Sequence, residues 1–257
     1  MNWMSNIEET VNREKLFYDD YWSTIGPHKV HGFLSIPGVQ SLNDSKILIC
    51  SCGRGVEPVL AANAGANVFT FDISPVAVEN TKIMAKENNV DIVAEVMNFH
   101  ELQYPDNFFD YMYGAGILHH VDCQAVGKEI YRVLKPGGVA FFWENSDRNA
   151  ILRFFRRILF GSPGRYQKRK SLIFKRRGTH DEYPLTEEEV NNLSAIFSGN
   201  LMRVYGDFVF FSIISYVLED IQIIKKSTEA IDRLLYLFLP FLLKYSYVQG
   251  IRLQKQI

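Results

Sequence analysis

A glycine-containing turn directly after an apolar run is the feature of this sequence that most clearly implies chemistry. Residues 46–51 read KILICS, and the turn Cys52-Gly53-Arg54-Gly55 follows them. Because glycine has no Cβ and tolerates positive φ, such a turn lets the backbone approach a bound molecule closely. The next apolar run ends in Asp72, whose carboxylate is able to accept two hydrogen bonds from a ribose diol. Together these features predict a pocket for a nucleoside-bearing cofactor.

Short β-branched or aromatic runs alternate with helical patterns from residue 46 onward. This alternation predicts βαβ units and a parallel sheet. Helices are expected to begin after Ser74 and after Asp122, which are N-cap residues, and to cover 186–197, 213–224 and 229–243. The predicted strands are 47–51, 68–72, 92–97, 109–113, 139–143, 201–211 and 247–254. We therefore expect an α/β fold with a Rossmann-like, doubly wound, mostly parallel sheet of seven strands and helical insertions before the last strand.

The flanks and insertions divide the chain further. Residues 1–45 precede the first strand and carry the aromatic patch Phe17-Tyr-Asp-Asp-Tyr-Trp22. We interpret this region as a helical lid over the pocket, the alternative being a helix packed on the sheet edge. Residues 46–257 then form one domain, with a basic insertion at 148–180 and an apolar helical insertion at 213–243.

Length, cysteine content and hydropathy limit the cellular setting. A chain of 257 residues fits one α/β domain. Its three cysteines are too few for a disulfide framework, which predicts a reducing compartment, and they make a zinc site improbable, so we expect no metal. The first residues lack the apolar region of a secretory signal, and the longest apolar stretch, 234–243, is interrupted by Pro240. These features predict a cytoplasmic protein.

Six motifs follow one another in a fixed order. They are the glycine turn, then Asp72-Ile-Ser-Pro75, Val96-Met-Asn-Phe99, Phe108-Phe-Asp110, Leu118-His-His-Val-Asp122 and Tyr131-Arg-Val-Leu-Lys-Pro-Gly-Gly138. Over about residues 46–145 this series resembles the class I S-adenosylmethionine-dependent methyltransferases, and most closely the branch acting on small molecules and quinone precursors. The resemblance implies an enzyme that moves a methyl group from S-adenosyl-L-methionine to a small-molecule or lipid-linked acceptor. Oxygen is the acceptor atom that we expect.

The resemblance also implies a role for individual residues in cofactor binding. The backbone of the turn would pass beneath the methionine part, a carboxylate would bind the ribose hydroxyls, and apolar and amide groups would border the adenine. Two residues after the fourth strand would lie near the sulfonium. In that order the implied residues are Ser51, Gly53 and Gly55; Asp72; Ile73, Asn98 and Phe99; and Gly114 and Ala115.

Three positions depart from the family pattern. Ile49 stands where the family usually has an acid, Ser51 where it has glycine, and Asn98 where it has aspartate. These departures motivate a first alternative, a degenerate methyltransferase-like binding protein without catalysis. A nicotinamide-dependent dehydrogenase is a further alternative, but Pro58 stands where its third spaced glycine would fall.

His119 and His120 are the candidate catalytic bases. They follow the fourth strand, at the edge where open α/β sheets bind ligands, and the near-neutral pKa typical of histidine suits it to deprotonate a hydroxyl. Consecutive residues point in different directions, so at most one of them should face the pocket. The alternative is that both are structural parts of a turn. His28, His31, Glu144 and His180 are lesser candidates.

Residues 148–180 contain eleven Lys and Arg and no Asp or Glu, although the whole chain has a net charge of −1. Apolar residues of 151–159 share one helical face and Arg153, Arg156 and Arg157 the other, which is typical of a helix on an anionic membrane surface. On this interpretation the cytoplasmic protein is also expected to bind peripherally to the inner face of the membrane. Alternatives are a solvated loop, a clamp for a substrate diphosphate, and a nucleic-acid surface. We rank nucleic acid, and with it an RNA methyltransferase, lower because no RNA-binding module accompanies the cluster.

Overall fold

A computed structural model describes residues 3–23, 29–32, 34–160, 170–171, 174–175, 184–205 and 222–257 of the chain. The helices are α1 (Trp3–Ser23), α2 (Val56–Asn63), α3 (Pro75–Asn88), α4 (Cys123–Val133), α5 (Ala150–Phe160), α6 (Glu187–Ile196) and α7 (Gln222–Phe238). The strands are β1 (Lys46–Cys50), β2 (Asn67–Asp72), β3 (Ile92–Val96), β4 (Phe109–Ala115), β5 (Leu134–Asn145), β6 (Lys170–Ser171), β7 (Phe174–Lys175), β8 (Leu201–Tyr205) and β9 (Val248–Gln254). Short 3₁₀ helices cover Leu118–His120 and Pro240–Tyr245.

Seven strands form one sheet in the order β3-β2-β1-β4-β5-β9-β8. The first five are parallel, whereas β9 is antiparallel to both β5 and β8. The predicted doubly wound, mostly parallel sheet is therefore confirmed. Because the strand order reverses beside β1, the carboxyl ends of β1 and β4 border a crevice, which is where open α/β sheets bind ligands.

Side-chain caps fix where the helices around this crevice begin. The Ser74 hydroxyl accepts a hydrogen bond from the amide of Ala77, and Pro75 occupies the first turn of α3. The Asp122 carboxylate accepts from the amides of Gln124 and Ala125 at the start of α4. Both helices start at the predicted residues, because the caps satisfy amides that have no partner within the helix.

Each face of the sheet has its own apolar core. On one face, buried side chains of β1, β2, β4 and β5 pack with those of α4 and α6, among them Leu48, Met112 and Leu193. On the other face, Ile47, Ile49 and Phe141 pack with residues of the segment before β1 and with Ala61 of α2. The crevice thus lies at the end of a rigid, two-sided core.

Several predicted boundaries were wrong. The helix expected over 229–243 begins already at Gln222 and ends at Phe238, since Pro240 has no N–H to continue it and a 3₁₀ helix begins there. The strand expected over 109–113 continues to Ala115. The strand expected over 139–143 begins already at Leu134, which pairs with Phe109, and a register shift admits the Pro-Gly-Gly segment. The predicted elements at 206–211 and 213–221 lie outside the described residues.

No helix within the described residues has the length and hydropathy needed to span a membrane.

Candidate active site

A cavity of about 870 Å³ opens at the carboxyl edge of the sheet. The ends of β1, β2, β3 and β4 form its floor, and α1 forms a wall above them. Its lining from the strand ends and turns includes Ile49, Ser51, Gly53, Asp72, Ile73, Asn98, Phe99, Tyr113, Ala115 and His120. The lining from α1 includes Val11, Glu14, Phe17, Tyr18, Tyr21 and Trp22.

The glycine turn forms the part of the floor nearest to α1. Gly53 has a φ of +47°, and a Cβ placed there would lie 3.3 Å from the ring of Trp22. Ser51 also adopts a positive φ, +63°, which costs a residue with a side chain more than it costs glycine. Its hydroxyl donates to the Oδ2 of Asp72 over 3.0 Å. The turn therefore leaves its backbone atoms accessible to a ligand in the cavity.

The Asp72 carboxylate ties the end of β2 to the glycine turn. Besides Ser51, the backbone N–H of Gly53 donates to Oδ2 over 3.1 Å, and the N–H of Ser74 donates to Oδ1 over 3.0 Å. Burial raises the pKa of Asp72, while these hydrogen bonds act in the opposite direction. A carboxylate that is held in this way by both loops can accept hydroxyl groups at the cavity surface without having to be oriented first.

The loop after β3 has a defined hydrogen-bond pattern. The Nε2 of His100 accepts from the N–H of Asp122, so the ring proton is on Nδ1, which donates to the Oδ1 of Asn98 over 2.9 Å. Burial lowers the pKa of His100, in agreement with this neutral form. Since the Asn98 oxygen also accepts the N–H of His100, its amide nitrogen is the group left to donate into the cavity.

The two candidate histidines have different surroundings. His119 is buried outside the cavity lining, and its Nδ1 lies 2.6 Å from the Oε2 of Glu144. The Oε1 of Glu144 accepts the N–H groups of Ile117 and Leu118. The Glu144–His119 pair therefore fixes the loop after β4, while its neighbour His120 faces the cavity.

His120 contacts two residues of α1. Its Nε2 lies 3.2 Å from the hydroxyl of Tyr18, and its Nδ1 lies 3.1 Å from the Oε2 of Glu14. The second contact lacks hydrogen-bond alignment, so Nδ1 and Oε2 are buried atoms that still lack a hydrogen-bond partner. Neither sequence motif nor spacing pointed to Glu14. Its position one helical turn before Tyr18 places the two on the same face of α1.

Comparisons with known proteins decide the family. Residues 48–142 match the family model described as "Methyltransferase domain". These residues run from β1 through β5 and contain every strand end that forms the cavity floor.

Residues 48–142 are a class I S-adenosylmethionine-dependent methyltransferase domain.

The cofactor of this domain is S-adenosyl-L-methionine.

Two curated relatives and one solved structure illustrate the match. The chain is 30% identical over 126 residues to 24-methylenesterol C-methyltransferase 2 of Arabidopsis thaliana, covering 47% of this chain and 35% of the relative. It is 33% identical over 100 residues to the ubiquinone biosynthesis O-methyltransferase of Klebsiella pneumoniae, covering 38% and 41%. The chain thus spans less than half the length of either relative. Geranyl diphosphate C-methyltransferase of Streptomyces coelicolor A3(2) shares the fold, with a TM-score of 0.57 at 13% identity and coverage of 95% and 98%.

Most of the residues predicted to bind the cofactor line the cavity of the methyltransferase domain. The exceptions are Gly55 and Gly114; of the two candidate bases, His120 lines the cavity and His119 does not. Gly55 lies against Thr81 and Met84 of α3, and Gly114 lies beneath Phe142 and Ile117, where a Cβ would clash. Both glycines therefore allow close packing under the floor. The structure adds His100, Glu14 and Tyr18 to the lining residues, of which only Tyr18 belonged to a patch that the sequence had indicated.

Proposed function

We propose that this chain transfers the methyl group of S-adenosylmethionine to a hydroxyl oxygen of a small acceptor with an apolar body, and that His120 is the base. The observation that carries the proposal is the placement of His120, between Tyr18 and Glu14, in the same cavity as Asp72 and the glycine turn. The names of the curated relatives include both carbon and oxygen methyltransferases. The titratable cluster at His120 suits a hydroxyl acceptor, which must lose a proton during the transfer.

The size and lining of the cavity support an acceptor with an apolar body. At about 870 Å³ the cavity is near the upper end of the usual volume of small-molecule sites, which leaves room beside the cofactor. The wall above the floor is largely aromatic and aliphatic, with Val11, Phe17, Tyr21, Trp22 and Val121. Aromatic walls favour flat or isoprenoid acceptors over charged ones.

The protein's part in the reaction is alignment and proton transfer. S-adenosylmethionine supplies an activated sulfonium methyl group, so little further activation is needed from the protein. His120 accepts the acceptor's hydroxyl proton at Nε2, the atom that contacts Tyr18, as the oxygen forms its bond to the methyl carbon and the carbon–sulfur bond breaks. Glu14 faces the other ring nitrogen, where a carboxylate stabilises the imidazolium that forms.

Replacement of His120 tests the proposal. His120→Gln should lower turnover by about 10²-fold or more while the affinity for S-adenosylmethionine stays within about twofold. The assay follows the formation of S-adenosylhomocysteine with a panel of hydroxylated aromatic and isoprenoid acceptors. His31→Gln, at an exposed histidine outside the cavity, is the matched control and should retain wild-type turnover. Full activity in His120→Gln would remove the base from the mechanism.

We further propose that α1 is the lid predicted for residues 1–45. Trp22 packs on the glycine turn, its carbonyl accepts from the Asn80 side chain over 2.9 Å, and Asp19 contacts the Ser74 hydroxyl. All of these contacts are made to loops and helices around the cavity mouth. A helix at the mouth of a cavity admits and releases ligands when it moves away from the mouth.

A third proposal is that the region beginning at 148 docks on anionic membranes. On α5 the side chains of Ile151, Phe154 and Ile158 are each more than half exposed, and Arg153 and Arg157 are exposed beside them. A second exposed apolar group lies on α7 and the following 3₁₀ helix, at Leu234, Leu237, Phe238, Leu239 and Phe241. The two groups are linked through Asn149, whose side chain contacts the carbonyl of Tyr245 at 3.5 Å. Apolar side chains flanked by arginines suit the boundary between acyl chains and acidic headgroups.

A further inference from the structure

Two charged side chains line the cavity beside the glycine turn and are not accounted for by the proposed transfer. Arg54 belongs to the turn, and Glu57 lies in the first turn of α2. Among the residues that the structure describes, neither side chain has a hydrogen-bond or ion-pair partner. A cation and an anion three residues apart therefore face the same cavity without pairing.

The other carboxylates of the cavity have identified partners. Asp72 accepts from Ser51, Gly53 and Ser74, and Glu14 lies against His120. Ile49, at the end of β1, contributes only an apolar surface to the floor. Glu57 is thus the carboxylate that remains available to a positively charged group of a ligand.

The sheet order places Asp72 and Tyr113 on opposite sides of the glycine turn. β2, which ends in Asp72, lies on one side of β1, and β4 lies on the other. Tyr113 of β4 pairs with Ile49, and burial together with the negative charge of Glu57 raises the pKa of Tyr113 to about 12. Arg54, Glu57 and Tyr113 line the same cavity as Asp72, so a ligand whose ribose is at Asp72 and which crosses the glycine turn can reach Glu57 and Arg54.

We propose that Glu57 and Arg54 bind the amino-acid end of the cofactor, with Glu57 accepting hydrogen bonds from its α-ammonium group and Arg54 donating to its α-carboxylate. The inference rests on the proposed function and adds the residues that select the zwitterionic end of the cofactor. Glu57 and Arg54 carry charges opposite to those of the ammonium and the carboxylate that they would bind. Hydrogen bonds between oppositely charged groups are stronger than those between neutral groups.

A merely structural role for Glu57 makes a different prediction. An acid in the first turn of a helix interacts favourably with the helix dipole, so its removal would lower stability slightly. That effect would be the same for every ligand. Binding of the ammonium group by Glu57, in contrast, affects only ligands that carry this group.

The test is a comparison of three ligands by calorimetric titration of the full chain. S-adenosylhomocysteine carries both charged groups, decarboxylated S-adenosylmethionine keeps only the ammonium, and 5′-methylthioadenosine has neither. Glu57→Gln should weaken the first two by about tenfold or more, about 1.4 kcal/mol, and leave 5′-methylthioadenosine unchanged. Arg54→Met should weaken only S-adenosylhomocysteine. Glu79→Gln, an exposed acid of α3 outside the cavity, is the matched control and should change none of the three.

Two results would overturn the inference: unchanged binding of S-adenosylhomocysteine in Glu57→Gln, or an equal loss for all three ligands. Failure of the proposed function gives a different result, because it appears in the turnover of His120→Gln and leaves the binding of the three ligands unchanged.

Discussion

At the scale of single residues, Asp72 connects the fold to the site. Its carboxylate holds the amides of Gly53 and Ser74 and the hydroxyl of Ser51, so it organises both loops beneath the cavity. Truncation to alanine would leave buried donors without acceptors, at a cost of about 1–3 kcal/mol each. Asn is the better probe because it keeps the shape and one acceptor oxygen while removing the charge.

Asp72→Asn should weaken S-adenosylmethionine binding about ten- to a hundredfold, since charge-assisted hydrogen bonds to the ribose are lost. The pH dependence gives a second readout. Because burial raises the pKa of Asp72, wild-type affinity should fall as the pH is lowered through that raised pKa, whereas the variant should lack this step. Calorimetric titration at several pH values, with circular dichroism as the check on folding, measures both. An affinity equal to that of the wild type in the folded variant would disprove the role of Asp72.

The stability of the ligand-free chain should depend on pH through Asp72 in the opposite sense to the cofactor affinity. A group whose pKa is higher in the folded than in the unfolded chain stabilises the fold below its unfolded pKa, and that contribution is lost as the pH rises through the folded pKa. Ionisation of this buried carboxylate therefore costs stability in the empty chain, which is consistent with a role in binding.

At the scale of secondary-structure elements, the strands and caps around the site were predictable because their signals are local. Ser74 and Asp122 cap the helices that the sequence assigned to them, and β1 and β2 end at the glycine turn and at Asp72. The break at Pro240 was underestimated, because the apolar periodicity continues across it while the backbone hydrogen bonds do not.

The cavity wall was less predictable than its floor. The floor is set by strand order, which a βαβ pattern implies, whereas the wall depends on where α1 packs, and the sequence pattern does not specify that contact. The sequence therefore indicated Tyr18 only as part of an aromatic patch, and it did not indicate Glu14. Gly114 was predicted to follow the fourth strand and to lie near the sulfonium, whereas the structure places it inside β4, where a Cβ would clash with the ring of Phe142.

At the scale of the whole molecule, charge is segregated. The net charge of −1 combines eleven basic residues without an acid in 148–180 and an excess of acids elsewhere. The part of this segment that the structure describes includes α5, with its exposed apolar and basic side chains. Segregation of this kind orients a protein on an acidic surface even when the net charge is close to zero.

The membrane proposal predicts binding to vesicles that contain acidic lipid, with weaker binding at high salt. Changing both Arg153 and Arg157 to Glu should reduce binding by at least about 30-fold, because each basic residue contributes about 1 kcal/mol near such a surface. Sedimentation with neutral and acidic vesicles measures the effect. The same charge reversal at Lys82 and Lys86, which are exposed on α3, is the matched control. If the wild-type chain does not sediment together with acidic vesicles at low salt, the membrane proposal fails.

The central claim is that the cavity at the ends of β1, β2 and β4 binds S-adenosylmethionine, and calorimetric titration of the wild-type chain with this cofactor tests it most directly. We predict saturable binding of one equivalent per chain, with a dissociation constant in the range of about 1 μM to 1 mM that is usual for enzyme substrates, and loss of most of this affinity in Asp72→Asn. The absence of saturable binding by the folded wild-type chain, or binding that Asp72→Asn leaves unchanged, would contradict the claim.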